Sequence, residues 1–83
     1  VERPAYPPLW LEPQFFGATV RFFERSVVDG FAVDPSRVAR ALSACGRAAS
    51  VWITNLHNPT GVATDAETLA EVGAAAARAG ARL

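Results

Sequence analysis

The sequence predicts an α/β fold: a partial, mostly parallel sheet joined by βαβ crossovers. Three observations predict it. Short β-branched and aromatic runs alternate with helical patterns that carry clear caps. The resulting order of strand, helix, strand, helix, strand requires crossover connections, and therefore parallel pairing. Parallel strands need cover on both faces, which two helices do not supply. The 83 residues are therefore expected to be one segment of a larger α/β domain.

The elements follow in order. A strand is expected near Val1, where Val1-Glu2-Arg3 leads straight into Pro4. The region from Tyr6 to Phe16 reads two ways: Pro7 and Pro8 can open a helix, whereas Pro13 would kink or end it. Ala18 to Glu24, with Thr19, Val20, Phe22 and Phe23, reads as a strand. A helix is expected over Pro35–Cys45, capped by Asp34, with Pro35 in the first turn where its missing N–H costs nothing. Val38, Ala41, Leu42 and Cys45 share one face of it, and Gly46 ends it. Ala49 to Thr54 (Ala-Ser-Val-Trp-Ile-Thr) suits a buried strand. The clearest helix runs from Asp65 to Ala79. Thr64 is its expected N-cap, and Glu67, three residues on, completes a capping box. Asp65 and Glu67 set negative charge at the positive end of the helix dipole. Leu69, Val72, Ala76 and Ala79 form its apolar face, and Gly80 its C-terminal cap. Gly73 weakens the interior by ~1 kcal/mol relative to Ala. Ala81-Arg82-Leu83 reads as the start of a further strand. There is no internal repeat and no low-complexity linker.

Composition removes several function classes. Eight Arg and Lys balance eight Asp and Glu, which leaves no electrostatic footprint for nucleic acid or a membrane surface. No apolar run approaches the ~18 residues of a spanning helix. The first ten residues hold two charges and three prolines and do not read as a signal peptide. One cysteine excludes a disulfide within the chain and fits a reducing, cytoplasmic compartment. All eight cationic residues are arginines. Without lysine, no side-chain amine can form a Schiff base. There is also no methionine, as expected of a processed piece or a fragment.

One loop carries a chemical signal. Asn55-Leu56-His57-Asn58-Pro59-Thr60-Gly61 follows the Val51–Thr54 strand and precedes the capped helix. Ligands bind at the carboxyl ends of strands in open α/β sheets. Asn-Pro and Thr-Gly also simply mark turns. By composition, Asn-Pro-Thr-Gly arises by chance in roughly one in a thousand chains of this length.

Trp52-Ile53-Thr54-Asn55-Leu56-His57-Asn58-Pro59-Thr60-Gly61 resembles the signature of class I/II aminotransferases, the fold-type I enzymes dependent on pyridoxal phosphate. Val1-Glu2-Arg3-Pro4-Ala5-Tyr6-Pro7 is similar to the segment that carries an aromatic residue over the cofactor. Gly17-Ala18-Thr19-Val20 and Phe31-Ala32-Val33-Asp34 resemble the next strand and the approach to the next helix. The resemblance covers nearly the whole chain and implies that residues 1–83 are a fragment of the cofactor-binding large domain.

Residue by residue, the resemblance implies that Asn58 donates a side-chain hydrogen bond to the phenolic oxygen of the cofactor ring. A neutral amide can do so without adding net charge. Pro59 would follow a cis peptide bond that turns Asn58 toward the site. Tyr6 would stack on the pyridine ring, worth ~0.5–1.5 kcal/mol beyond area burial. Asn58, Tyr6 and Pro59 are thus the cofactor-binding candidates. Against these stand a turn role for the loop and surface packing for the Tyr-Pro-Pro stretch. His57 is expected to be structural rather than a direct participant. Leu56 departs from the proline common there in relatives. Cys45 is expected to be a small buried apolar residue, and Phe15, Phe16, Phe22, Phe23, Trp10 and Trp52 core or interface residues. Asp29, Asp34 and Asp65 are turn or cap residues. No catalytic residue and no metal site are assigned within the segment.

The family's remaining parts are expected outside these residues: the Schiff-base lysine, the carboxylate that pairs with the pyridinium nitrogen, the phosphate-binding loop and the arginine for the substrate carboxylate. The implied function is part of a pyridoxal 5'-phosphate-dependent aminotransferase acting on an amino acid and a 2-oxo acid, a homodimer when complete. The alternatives are a carbon–sulfur lyase or synthase with the same cofactor, an aminotransferase-like sensor domain of a winged-helix regulator, or an unrelated α/β piece. Alone, the 83 residues are expected neither to hold the cofactor stably nor to turn over.

Overall fold

Residues 1–83 are described by a computed structural model. Strand β1 covers Glu2–Arg3 and strand β2 Phe23–Glu24, with helix α1 over Pro8–Phe15 between them. A single 3₁₀ turn at Val27–Asp29 leads to helix α2 over Pro35–Cys45, and helix α3 covers Ala66–Arg78.

The two strands pair in parallel, Glu2 opposite Phe23 and Arg3 opposite Glu24. Phe23 N–H donates to the Val1 carbonyl at 3.1 Å and Arg25 N–H to the Arg3 carbonyl at 2.8 Å. On the other edge of β1, Glu2 N–H donates to the Trp52 carbonyl at 3.2 Å. Farther out, Ser50 and Arg82 form a parallel bridge. The lateral order is therefore β2, β1, the 49–54 segment, then Arg82. Side chains alternate as strand geometry requires: Glu2 and Phe23 are buried, Arg3 and Glu24 exposed.

Both expected long strands are shorter than the sequence suggested. The strand expected over Ala18–Glu24 narrows to Phe23–Glu24, because its partner β1 is only two residues long and runs into Pro4, which has no N–H to donate. The expected strand over Ala49–Thr54 pairs regularly only at Ser50. At its end, the Thr54 N–H goes to the Glu2 carboxylate instead of a backbone carbonyl. The strand expected at Ala81–Leu83 consists of the single bridge at Arg82.

The uncertain region around Tyr6 is helical. Pro8 opens α1, and the helix passes through Pro13 to Phe15. It closes with Gly17 N–H on the Gln14 carbonyl and Ala18 N–H on the Pro13 carbonyl, both at 2.9 Å. That pair of bonds is a Schellman turn.

Helix α2 matches its expected bounds. The Asp34 carboxylate accepts from Ser36 N–H at 2.8 Å, and Val38 and Leu42 are buried while Cys45 is only half-buried.

The start of α3 differs from the expected capping box. Asp65, not Thr64, is the N-cap: it is extended (φ −70°, ψ 163°) and accepts from Thr68 N–H at 2.8 Å and from the Thr68 hydroxyl at 2.9 Å. Thr64 does not cap: its buried hydroxyl has no hydrogen-bond partner, and the Asn55 side chain holds its backbone, accepting from its N–H at 2.9 Å and donating to its carbonyl at 3.0 Å. At the far end, Gly80 adopts φ +72°, a conformation L side chains rarely take. This lets Gly80 and Ala81 N–H close on the Ala77 and Ala76 carbonyls at 3.0 and 2.9 Å.

The core lies where α2 and α3 pack on each other and α2 on β2. Phe23, Val33, Val38, Leu42, Val51, Val72, Ala75, Ala76 and Ala81 form it. On α3, Ala75 takes the place expected of Ala79, which is exposed, and Leu69 is half-buried. Of the six aromatics expected in a core or interface, only Phe23 is buried; Phe15 and Phe16 are 86% and 84% exposed. They sit at the end of α1, which contacts neither α2 nor α3, so nothing in the chain covers them.

Candidate functional site

The strand order creates a crevice. From β1 the chain passes through α1 to β2 on one side, whereas from the 49–54 segment it passes through α3 to Arg82 on the other. Adjacent strands whose connections depart in opposite directions mark a topological switch point, where open α/β sheets bind ligands at the carboxyl ends. Pro4–Tyr6 leave β1 at this end and Asn55–Gly61 leave the neighbouring segment. The fold thus brings together the two segments that carry Tyr6 and Asn58.

The 55–61 loop is tightly organised. Asn55 closes it by holding Thr64. His57 N–H donates to the Val62 carbonyl at 2.9 Å, and Gly61 N–H to the His57 carbonyl at 2.7 Å. Gly61 adopts φ +75°, which glycine takes without steric penalty. The Asn58–Pro59 peptide bond is cis, as the resemblance implies; Arg3–Pro4 and Asn55–Leu56 are cis as well.

Asn58 is exposed, and its side-chain amide makes no hydrogen bond within the chain; only its backbone N–H is held, by the Thr54 hydroxyl at 2.9 Å. Pro59 beside it is exposed. Tyr6 is 52% exposed. His57, by contrast, is 1% exposed, with both ring nitrogens engaged, by Thr60 Oγ1 at 2.6 Å and the Pro4 carbonyl at 2.8 Å.

Beneath the loop lies a buried network that sequence reasoning missed. Arg25 donates to Glu2 Oε2 at 2.8 Å, and both side chains are fully buried. Thr54 donates to Glu2 Oε1 through its N–H and its hydroxyl, both at 2.7 Å. The same hydroxyl accepts from Asn58 N–H. A continuous path of hydrogen bonds therefore runs from Arg25 through Glu2 and Thr54 to the Asn58 backbone. Arg25 also donates to the Phe31 carbonyl at 2.7 Å, while its second terminal nitrogen is buried without a partner. The sequence offered one signal, the two Glu-Arg dipeptides Glu2-Arg3 and Glu24-Arg25. In parallel register they form one buried pair and one exposed pair, Arg3 with Glu24.

Chemically, this end of the fold presents an exposed neutral amide, Asn58, and a half-exposed tyrosine, Tyr6. The one histidine is enclosed by its partners. No group of three His, Cys, Asp or Glu side chains is placed to hold a metal ion, and no helix is long and apolar enough to cross a membrane. A groove of about 880 Å³ lies apart from the crevice; Val20, Phe23, Leu42, Cys45 and Val51 are among the residues that line it, and neither Tyr6 nor Asn58 is.

A search of curated proteins finds no match. A family model described as aminotransferase class I and II matches residues 2–83, a span that takes in β1, the Tyr6 segment, the Asn55–Gly61 loop and all three helices. The chain belongs to the class I and II aminotransferase family.

Proposed function

We propose that residues 1–83 are a segment of the cofactor-binding large domain of a fold-type I aminotransferase, and that Asn58, Pro59 and Tyr6 form part of its pyridoxal phosphate site. One observation carries the reading: the exposed Asn58 amide, free of any partner in the chain, stands at the switch-point crevice beside the segment bearing Tyr6. These residues fit the cofactor ring. The amide supplies a donor for an anionic phenolic oxygen, and the half-exposed tyrosine supplies a face for a planar ring.

Pyridoxal phosphate, when bound, supplies the electron sink for amino-group transfer between an amino acid and a 2-oxo acid. The residues here bind and orient. Asn58 would donate from its side chain to the phenolic oxygen without adding charge. Thr54, braced by Glu2 and Arg25, holds the Asn58 backbone in place. Tyr6 would lie against the face of the ring and limit its tilt. Proton transfer and the covalent link to the cofactor belong to residues outside these 83, since the segment has no lysine. In this reading the complete protein is a cytoplasmic homodimer.

The test uses the complete protein encoded by the reading frame that contains these residues. Purified with pyridoxal phosphate and mixed with single amino acids, it is expected to convert the bound cofactor to its amine form and release the matching 2-oxo acid. Release of ammonia or sulfide without that conversion assigns it to the lyase alternative. A protein that binds no cofactor contradicts the proposal. Asn58→Ala is expected to weaken cofactor binding by roughly tenfold or more, the loss of one hydrogen bond to a charged group. Equilibrium fluorescence titration with pyridoxal phosphate checks this.

A further inference from the structure

We infer that His57 is a positioning residue that fixes the Tyr6 segment to the Asn58 loop, so that the ring face and the amide donor are set as one unit. The inference rests on the reading of Tyr6 and Asn58 as cofactor contacts.

The hydrogen-bond pattern assigns the role. The Pro4 carbonyl can only accept, so Nε2, 2.8 Å away, carries the proton. At the other nitrogen, Thr60 Oγ1 lies 2.6 Å from Nδ1 and also accepts from Val62 N–H at 3.4 Å. One imidazole therefore ties the two segments, donating to the Pro4 carbonyl and pairing with the Thr60 hydroxyl. The Phe31 ring lies beside it, centroids 6.3 Å apart and tilted 32°, and the ring is 1% exposed. Both backbone groups of His57 are also bonded within the loop. Pro4 is two residues before Tyr6, and His57 immediately precedes Asn58. Because Pro4 cannot donate through its own nitrogen, its carbonyl is the group by which this stretch is held. No other side-chain hydrogen bond joins Pro4–Tyr6 to the 55–61 loop.

The shapes of possible replacements make this testable. In glutamine the terminal amide lies near the place of Nε2, so His57→Gln keeps a donor for Pro4. In asparagine the amide reaches only as far as Nδ1, so His57→Asn loses that bond. If His57 acts through Tyr6, its loss matters only while Tyr6 is there to be placed.

The experiment measures pyridoxal phosphate affinity of the complete protein by equilibrium fluorescence titration, in a cycle of His57→Asn with Tyr6→Ala. His57→Asn is expected to weaken binding about tenfold, equivalent to one lost hydrogen bond. In the Tyr6→Ala background the same change is expected to weaken it less than about twofold. His57→Gln is expected to stay within about threefold of the native protein. An equal loss in both backgrounds overturns the inference, since a merely structural histidine would act independently of Tyr6. If His57→Asn does not fold, the cycle runs with His57→Gln. A tenfold loss there that persists in Tyr6→Ala overturns the inference, and near-native binding supports it. If Tyr6→Ala and Asn58→Ala both leave affinity unchanged, the site reading itself fails and the inference falls with it, an outcome distinct from an equal His57 loss with both contacts confirmed.

Discussion

At the residue scale, Asn58 and Glu2 contrast in how they could be read. Asn58 is a site candidate on local grounds alone, a four-residue motif in a strand-to-helix loop. Glu2 is not, because its role depends on Arg25 and Thr54, 23 and 52 positions away. Only the register of β1 against β2 and the 49–54 segment decides which Glu-Arg partner turns inward. His57 reads as a structural residue and is buried, but only the fold places it between Pro4 and Thr60. The buried pair yields a stability prediction. Removing one partner leaves an uncompensated buried charge, so Arg25→Met is expected to destabilise by about 3–5 kcal/mol. Glu2→Leu combined with Arg25→Met is expected to cost less than the two single changes summed, because the pair leaves together. Urea denaturation midpoints of the three variants check both statements.

At the scale of elements, helices were more legible than strands. Helix α2 was bounded by Asp34, Pro35 and Gly46, signals that act within a turn of the residue that reads them. The cap of α3 lies one residue beyond the capping-box threonine, at Asp65, while Asn55 holds the Thr64 backbone across the loop. The strands were overestimated because pairing depends on what lies opposite. Ala18–Phe22 has suitable residues and no ladder. The Asp65 cap makes α3 sensitive to pH. Hydrogen bonds from the Thr68 backbone and hydroxyl hold its carboxyl below the ordinary aspartate value of 3.8. The folded pKa is depressed, so the contribution is fully present above that value and is lost as pH falls through the lower folded one. Asp65→Asn is expected to keep the cap and remove this acid dependence, read by circular dichroism from neutral pH into the acid range. Within α3, a Cβ on Gly73 would meet only the Leu83 Cδ2 atom, at 3.8 Å, an ordinary contact. Gly73→Ala is therefore expected to stabilise the protein by ~0.5–1 kcal/mol, seen as a raised thermal midpoint.

At the scale of the whole molecule, the class α/β and the parallel pairing followed from element order, whereas the lateral order did not. Nothing in the sequence says that the 49–54 segment lies beside β1 rather than β2. Yet that placement makes the crevice, since it sets the exits of β1 and of 49–54 side by side while their connections diverge. The exposed Phe15 and Phe16 and the two-residue strands leave apolar surface and strand edges uncovered within these 83 residues. The central claim is that this crevice holds the cofactor ring between Tyr6 and Asn58. The most direct measurement is a crystal structure of the complete protein with pyridoxal phosphate bound. Asn58 Nδ2 is expected about 2.7–3.2 Å from the phenolic oxygen, with the Tyr6 ring against the pyridine face. A cofactor bound elsewhere, or bound here with the Asn58 amide turned away from that oxygen, would contradict the account.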